Sequence, residues 1–510
     1  MRSYLRSALF LGLLTTGAVG AATPPIQPQA LLDHIKFLAS DELQGRGNGT
    51  EGLERAADYI AAQFKAAGLR PGGQDGGWFQ PFGLTAGLTI DQGNSLVIQA
   101  GDQSVRLTLG ESYYPLAATP TTSTQPPSVE LKGLPVVFAG YGLSAPTAGY
   151  DDYAGHDVKG KAVLILSHEP QEAQRDSRLN GARPMRETTL YSKALAARSR
   201  GARALLVVSD PSHRVDQADY RLFEIDPDPE DHQIPVLRVR RDALAPLVSA
   251  WKLDETAAAI DRDLVPRSRA LGGASIDYVE RLSLKRRTVR NVVGVLDIPN
   301  EAHPGQAVVL GGHYDHVGLG GRFSTAPELT GEIHNGADDN ASGIAALIEI
   351  ARAAAADRSR FPRSLVFIAF AGEERGLLGS VHYTMSPTVP LVDTVAMLNL
   401  DMVGRANGKV EVGGLNEAPS FAADVEAAAR LVGITVTRGG PGAGRSDDSS
   451  FVDRHVAALH FFTGFHDDYH RPSDDWNRID AAGTARVATL VLELAARIAA
   501  RQDPPRVAIR

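Results

Sequence analysis

The chain has 510 residues, 43% of them hydrophobic and 22% charged, with a formal net charge of −8 and a pI near 6.0. This length exceeds one ordinary core, so we expect a soluble globular protein of two or three domains. The acidic balance gives no electrostatic reason to bind nucleic acid or anionic lipid. The absence of cysteine excludes thiolate chemistry and leaves His, Asp and Glu as candidate metal ligands.

The first 22 residues have the pattern of a secretory signal peptide. Arg2 and Arg6 precede a short apolar run at 8–14, and small residues follow it up to Ala22. The apolar run is shorter than the ~20 residues that a membrane-spanning helix needs. We therefore expect a secreted or periplasmic protein with no membrane anchor after signal removal.

Residues 23–125 are assigned to the first part of a main domain. Apolar residues spaced near 3.6 predict a short helix that starts about residue 31 and ends near Ser40, and a longer helix over 53–69. The Gly-rich stretch 71–81 predicts a loop. A Pro/Thr/Ser/Gln stretch at 120–127 is typical of a linker.

Residues 126–265 are assigned to a second, smaller domain. Apolar runs predict strands at 136–138, 162–166 and 204–208, with a helix at 192–199. Its histidines are scattered singly through polar stretches and are interpreted as ordinary surface or loop residues: His156, His168, His213 and His232. No catalytic constellation is predicted here.

Residues 266–510 alternate strand and helix and form the second part of the main domain. The predicted strands are 291–296, 307–311, 364–370, 395–399 and 457–462, and the predicted helices are 342–356 and 481–501. This alternation predicts an α/β fold whose mostly parallel sheet is covered by helices on both faces.

Polar residues follow four of these strands, where open parallel sheets bind ligands. One His or Asp after a strand is usually a turn residue or a helix cap. Several acids converging with two histidines would repel and desolvate one another unless cations lay among them. Imidazole and carboxylate without thiolate suit zinc, manganese or cobalt, and two His with three acids can hold two metals if one carboxylate bridges.

Five motifs in order carry a family resemblance. They are Gly311-Gly312-His313-Tyr314-Asp315, Gly336-Ala337-Asp338-Asp339-Asn340-Ala341-Ser342-Gly343, Ala371-Gly372-Glu373-Glu374-Arg375-Gly376, Asn399-Leu400-Asp401-Met402 and Tyr469-His470-Arg471-Pro472-Ser473-Asp474. Together they resemble peptidase family M28, the co-catalytic zinc aminopeptidases with a phosphorylase/hydrolase-like α/β fold. Residues 38–46 resemble the amino-terminal segment of the same family.

The resemblance implies a role for each matching residue. It implies that His313 and Asp401 hold one divalent metal, Glu374 and His470 the other, and that Asp339 bridges them, with zinc as the expected metal. It further implies two catalytic roles, with Glu373 as the general base and Asp315 orienting His313. Asp474 is a candidate support for His470, and Tyr469 a candidate donor to the reaction's oxyanion.

The second domain is similar to the protease-associated (PA) domain often inserted in these peptidases. The matching stretches are residues 136–142, 160–163 and 201–204. This resemblance implies a lid or substrate-access module that splits the catalytic domain into two parts.

The function expected from the resemblance is a metal-dependent aminopeptidase acting on peptides through a two-metal-activated water. A dipeptidase, a carboxypeptidase, a glutaminyl cyclase and a non-catalytic binding protein are the alternatives. His316 and His334 match no ligand position and are interpreted as surface or loop residues. His466 either contacts substrate or orders its loop, and a last group is expected to line the cleft: Ser446, Asp447 and Asp448. The glycosylation triplets at Asn48 and Asn340 are interpreted as chance matches.

Overall fold

The computed structural model describes residues 26–116, 128–172, 174, 176–179, 186–211, 234–326, 329, 331–439 and 446–503. The expected signal peptide, the expected linker at 120–127, His213 and His232 lie outside these residues. Within the described ranges, no helix has both the length and the apolar character needed to cross a membrane.

The helices and strands are as follows in chain order. The helices are α1 (Pro28–Leu38), α2 (Glu51–Ala66), α3 (Leu190–Ser199), α4 (Ala245–Ala250), α5 (Leu253–Asp263), α6 (Gly343–Ala356), α7 (Leu378–Met385), α8 (Ala422–Val432), α9 (Asp448–Val452) and α10 (Ala481–Ala499). The strands are β1 (Arg70–Pro71), β2 (Phe79–Ile90), β3 (Ser95–Ala100), β4 (Gln103–Leu107), β5 (Tyr113–Leu116), β6 (Ser128–Phe138), β7 (Ser144–Ala145), β8 (Tyr150–Asp151), β9 (Ala162–Leu166), β10 (Ala204–Val208), β11 (Val236–Val239), β12 (Arg269–Leu296), β13 (Ala307–His313), β14 (Ser364–Phe370), β15 (Thr394–Leu400), β16 (Lys409–Gly413), β17 (Thr435–Arg438) and β18 (Ala458–Phe462).

The first sheet has the order β17-β16-β18-β15-β13-β14-β12. Strands β18, β15, β13 and β14 are parallel neighbours, while β16 and β12 flank them antiparallel. The central strands are apolar throughout because they are buried on both faces, as all seven residues of β13 show.

Helices cover both faces of this sheet, as alternate residues of its strands show. Leu310 of β13 packs into a core with α1, α2, α6, α8 and α10, whereas Val309 faces a smaller core with α7 and α9. The α/β fold predicted from the sequence is therefore confirmed, with a mixed sheet that is parallel at its centre.

The second sheet contains β6, β9, β10 and β11 as parallel neighbours. Antiparallel strands complete it, with β5 beside β11 and with β12, β3 and β4 beyond β6. Helix α3 covers one face, and α4 and α5 cover the other. Strands β3 to β5 thus pack in this sheet, whereas the sequence assignment placed them in the main domain; the boundary at 126–265 stays a prediction.

Strand β12 joins the two sheets. It is 28 residues long, and its first half pairs with β3 and β6 while its second half pairs with β2 and β14. The sequence predicted only its last six residues as strand, because Arg286 and Arg287 interrupt the apolar alternation with exposed charges beside a bulge. The predicted loop at 71–81 likewise contains the end of β1 and the start of β2.

Candidate metal centre

The carboxyl ends of four parallel strands bring the predicted ligands to one edge of the first sheet. His313 ends β13, Glu374 follows β14, Asp401 follows β15, and His470 lies in the loop after β18. Asp339 lies in an irregular helical turn, Ala337–Ser342, that leads into α6, and its peptide bond to Asn340 is cis. The structure thus places all five predicted ligands together.

One group of donor atoms contains His313, Asp339 and Asp401, all within 4.8 Å of one another. The Nε2 atom of His313 lies 3.2 Å from Oδ1 of Asp339 and 3.3 Å from Oδ1 of Asp401. On the other side of its ring, Nδ1 lies 3.1 Å from the backbone oxygen of Asp315, which fixes the ring with Nε2 towards the acids.

A second group shares Asp339 and adds Glu374 and His470. The Nε2 atom of His470 lies 3.0 Å from Oδ2 of Asp339 and 3.1 Å from Oε2 of Glu374, while Nδ1 is 2.6 Å from the backbone oxygen of Phe323. The two oxygens of Asp339 therefore face different histidines, as a carboxylate shared by two cations would.

His316 also belongs to the second group, which the sequence interpretation missed. Its ring is buried, not in a surface position, and Nδ1 lies 2.8 Å from Oε1 of Glu374. His334 is buried as well, with Nε2 bonded to Ser324. The place of His316, three residues after His313 and just beyond the end of β13, is the sequence signal that could have indicated it.

The carboxylate of Asp315 is buried and holds the backbone that carries two site residues. It accepts hydrogen bonds from the backbone N–H of Glu373 at 3.1 Å and of Glu374 at 3.3 Å. The side chain of Asn48 donates to the same carboxylate at 2.6 Å. Asp315 thus orients His313 through its carbonyl and the Glu373–Glu374 pair through its side chain.

Asp474 supports the shared ligand, although the sequence suggested support for His470. Its carboxylate accepts the backbone N–H of Asp338 at 2.9 Å and of Asp339 at 3.1 Å, and it pairs with Arg405 at 3.0 Å. His466 lies next to this network, with Nε2 3.2 Å from Oδ2 of Asp338. This contact ties the His466 loop to the turn that carries Asp339, and His466 also lines a pocket beside His470, so loop ordering and substrate contact both stay predictions.

Arg46 ties the amino-terminal segment to the site. Its buried guanidinium donates to the backbone oxygens of Tyr314 at 2.8 Å, Asn335 at 2.8 Å, Gly336 at 2.9 Å and Leu38. Burial lowers the pKa of Arg46 to about 10, against the acids that raise it, among them Asp339. The guanidinium of Arg46 therefore fixes the loops on both sides of the ligands.

Electrostatics around the site are dominated by buried acids. Burial opposes charge on His313, yet Glu373 and Asp401 raise its pKa well above the ordinary value. Burial also opposes charge on His470, yet the acids raise its pKa to about 11. Burial, with Glu374 and Asp401 beside it, raises the pKa of Glu373 well above the ordinary value against the effect of His313. The buried acids therefore favour positive charge within the cluster.

A pair of divalent cations fits this donor set. Nitrogen and carboxylate oxygen are ligands that zinc accepts, and cations bound to the imidazole nitrogens would supply the charge that the acids demand. Among the residues that the structure describes, the buried Nε2 of His470 has no hydrogen-bond partner of good geometry, although two carboxylates lie beside it. A lone pair directed between two carboxylates is what a metal ligand presents.

Asp447 and Asp448 lie at the edge of the site and are buried. Burial raises the pKa of Asp447 to about 7 against the effect of His313, and that of Asp448 to about 6 against the effect of His460. Ser446 accepts a hydrogen bond from the side chain of Asn399 at 2.8 Å. All three side chains are therefore buried beside the site, and their expected place along the cleft stays a prediction.

A pocket of about 500 Å³ opens beside His470. Its lining residues are Thr325, Phe465, His466, Asp467, Tyr469 and Arg471. The ring of Tyr469 stacks on His470 at 3.9 Å between centroids, and the ring of Phe465 lies 4.9 Å from that of Tyr469. Phe465 is 57% exposed, so an apolar surface leads to the metal ligands.

Two family models match the chain. Residues 132–247 match the PA domain, and residues 291–495, which contain all five predicted ligands, match peptidase family M28. Residues 291–495 belong to peptidase family M28. The family and the PA domain expected from the motifs are therefore confirmed.

Several known proteins are similar to this chain in sequence. Aminopeptidase YwaD of Bacillus subtilis (strain 168) is 25% identical over 368 residues, which are 69% of this chain and 66% of that protein. A probable zinc metalloprotease of Pyrenophora tritici-repentis is 39% identical over 119 residues, which are 23% of this chain and 25% of that protein. The matched part thus spans about a quarter of the fungal relative and just under two thirds of YwaD.

Solved structures share the fold. An aminopeptidase from Aneurinibacillus sp. strain AM-1 superposes with a TM-score of 0.55 at 21% identity, over 95% of this chain and 96% of that one. BSAP, a zinc aminopeptidase from Bacillus subtilis, superposes with a TM-score of 0.51 at 20% identity, over 92% and 94%. The likeness in fold extends over both sheets.

Proposed function

We propose that this protein is an aminopeptidase that removes amino-terminal residues from peptides with a pair of zinc ions. The observation that carries the proposal is the convergence of the five predicted ligands into two groups of donor atoms that share Asp339. The resemblance to YwaD, named an aminopeptidase, and to a probable zinc metalloprotease supports the reaction and the metal.

The chain's own residues have separate tasks in this reaction. His313 and Asp401 would hold one ion, Glu374 and His470 the other, and Asp339 both. When bound, the ions would supply an activated water and polarise the peptide carbonyl. Glu373 belongs to neither donor group, and its Oε2 lies 3.9 Å from Nε2 of His313, so its carboxylate can take the proton of that water and pass it to the leaving amine.

The resemblance to YwaD supports cleavage at the amino end, because that relative is named an aminopeptidase. The alternative with an observation in its favour is a carboxypeptidase, because Arg471 lines the pocket and a guanidinium pairs well with a terminal carboxylate.

Metal analysis coupled to a cleavage assay tests the proposal. We expect purified protein to contain two zinc ions per chain and to hydrolyse amino-acid anilides and free-amino peptides. Activity should disappear with a chelator and return with zinc. Amino-acetylated peptides should not be cleaved. Cleavage of acetylated peptides from the carboxyl end would favour the carboxypeptidase, and a metal-free, inactive protein would contradict both.

Export is a separate proposal that rests on the sequence of residues 1–22 alone. We infer that the protein is secreted or periplasmic after signal cleavage. Amino-terminal sequencing of the protein from culture medium and periplasm should find a start just after Ala21 or Ala22. Recovery of uncleaved protein only from the cytoplasm would contradict the inference.

A further inference from the structure

His316 is a buried histidine to which the assignment of five metal ligands gives no role. Its side chain is 0% exposed, and its backbone N–H donates to the carbonyl of Arg46 at 3.2 Å. Burial of a polar ring is unfavourable unless the ring finds partners. Among the described residues, Nε2 has no hydrogen-bond partner, so the contacts of Nδ1 must explain why the ring is buried here.

The Nδ1 atom of His316 lies among the ligands of one metal group. It is 2.8 Å from Oε1 of Glu374 and 3.8 Å from Oδ2 of Asp339. The Nε2 atom of His470 lies at 3.1 and 3.0 Å from the same two carboxylates. Four ligands placed tetrahedrally at zinc–ligand bond lengths are separated by about 3.3 Å, which lies within this range of distances.

We propose that His316 is a direct ligand of the metal held by Glu374 and His470. The proposal rests on the proposed two-metal function and adds a residue to it. That metal then has four side-chain ligands, whereas the metal at His313 and Asp401 has three with the shared Asp339. Closed four-ligand zinc sites are typically structural, and three-ligand sites keep an open position for water or substrate. The two metals should therefore differ in affinity, the His316 site being the tighter.

The test compares zinc affinity and zinc ligation in four proteins: wild type, His316→Ala, His316→Gln and His334→Gln. His334 is the matched control, because it is also a buried histidine near the site, and among the described residues it bonds Ser324 and the backbone of Glu332 and no metal ligand. Chelator competition measures stepwise zinc affinity, X-ray absorption of the two-zinc protein counts imidazole ligands, and circular dichroism verifies folding.

Two stepwise affinities are expected for wild type, with three imidazoles shared by the two metals. His316→Ala and His316→Gln should weaken the tighter site by at least about a hundredfold, because loss of a ligand exceeds the ten- to hundredfold loss typical of a supporting residue. Their imidazole count should fall to two, and His334→Gln should match wild type. X-ray absorption counts the imidazole ligands in the wild-type protein itself. The proposal is therefore still tested if a variant fails to fold.

Other outcomes separate this proposal from the function on which it rests. If His316→Gln keeps wild-type affinity, His316 only donates a hydrogen bond to Glu374 and the ligand proposal is overturned. The same holds if wild type shows two imidazoles over two zinc ions while cleaving peptides. If wild type binds no zinc and cleaves nothing, it is the proposed function that fails.

Discussion

At the scale of single residues, Glu373 and Glu374 are neighbours with different surroundings. Glu374 lies between His316 and His470, while Glu373 is in neither donor group and is close to Nε2 of His313. Asp315 holds both of their backbone N–H groups, so their side chains point from a fixed backbone. Glu374 can then bind metal while Glu373 accepts and passes on a proton.

Replacing Glu373 with Gln should remove the base and leave the metal ligands. We expect kcat to fall by about 10²- to 10⁴-fold, the range that positioned proton transfer contributes. Zinc content should stay at the wild-type value. Rates on an anilide substrate and metal analysis of the same sample check the prediction.

Glu374→Gln is the control for that experiment, since the same chemical change at the neighbouring residue removes a charged ligand. It should lose zinc as well as activity. Full activity of the Glu373 variant would refute the assignment of the base, and zinc loss in it would place Glu373 among the ligands.

Arg46→Met should destabilise the whole fold, because Arg46 is buried and donates to four backbone oxygens. The oxygen of Gly336 also accepts from the backbone N–H of Ala341 at 3.2 Å, so among the described residues three of the four acceptors would be left unpaired. Each buried acceptor left unpaired costs roughly 1–3 kcal/mol, so we expect a loss of about 3 kcal/mol or more in the free energy of unfolding. Denaturant unfolding of the apo protein measures it. Arg55→Met is the matched control, since the Arg55 side chain is 43% exposed and its pair with Glu42 should contribute about 1 kcal/mol or less.

At the scale of elements, the loop after β18 combines a ligand with an apolar surface. It carries His470 and the stacked rings of Tyr469 and Phe465, and Phe465 is more than half exposed beside the pocket. Ligand pockets are typically lined by apolar and aromatic side chains, and Phe465 lines this pocket. We therefore expect the first side chain of the substrate to lie against it.

Phe465→Ala should then lower kcat/KM by about tenfold for substrates with a large apolar first residue, because a lost apolar contact is worth roughly 1–3 kcal/mol. Alanine anilide should be affected less, since its side chain cannot reach across the pocket. Leu431→Ala on α8 is the control, an exposed apolar residue outside the pocket. An equal loss for both substrates would contradict a role in side-chain recognition.

The sequence predicted some elements to the residue and missed others for a physical reason. The bounds of β9, β10 and β14 agree because each is a continuous apolar run. The ligands could be predicted because each follows such a strand or carries a family motif. His316 was not predicted as a ligand, because its nearness to His313 along the chain does not give its distances to Glu374 and Asp339, which only the folded loops set. The long β12 was missed because arginines break its alternation.

At the scale of the whole molecule, the second sheet depends on strands outside its PA match, and one of them, β12, links it to the first sheet. The PA match covers residues 132–247, yet β6 pairs with β12 and β11 pairs with β5, both outside that range. The core of the second sheet also takes fully buried side chains from outside the match. They include Leu96, Ile98, Tyr113, Ile276 and Tyr278.

A fragment of residues 132–247 should therefore not fold alone. Burial of each of those five side chains contributes about 2 kcal/mol, and their sum is comparable to the entire 5–15 kcal/mol stability of a typical domain. We expect poorly dispersed amide signals and no cooperative thermal transition from this fragment. A fragment of residues 93–284, which restores β3, β4, β5 and the first half of β12, should unfold cooperatively. If the shorter fragment unfolds as cooperatively as the longer one, then β3, β4, β5 and β12 are not needed for the second sheet to fold, and the dependence on β12 is refuted.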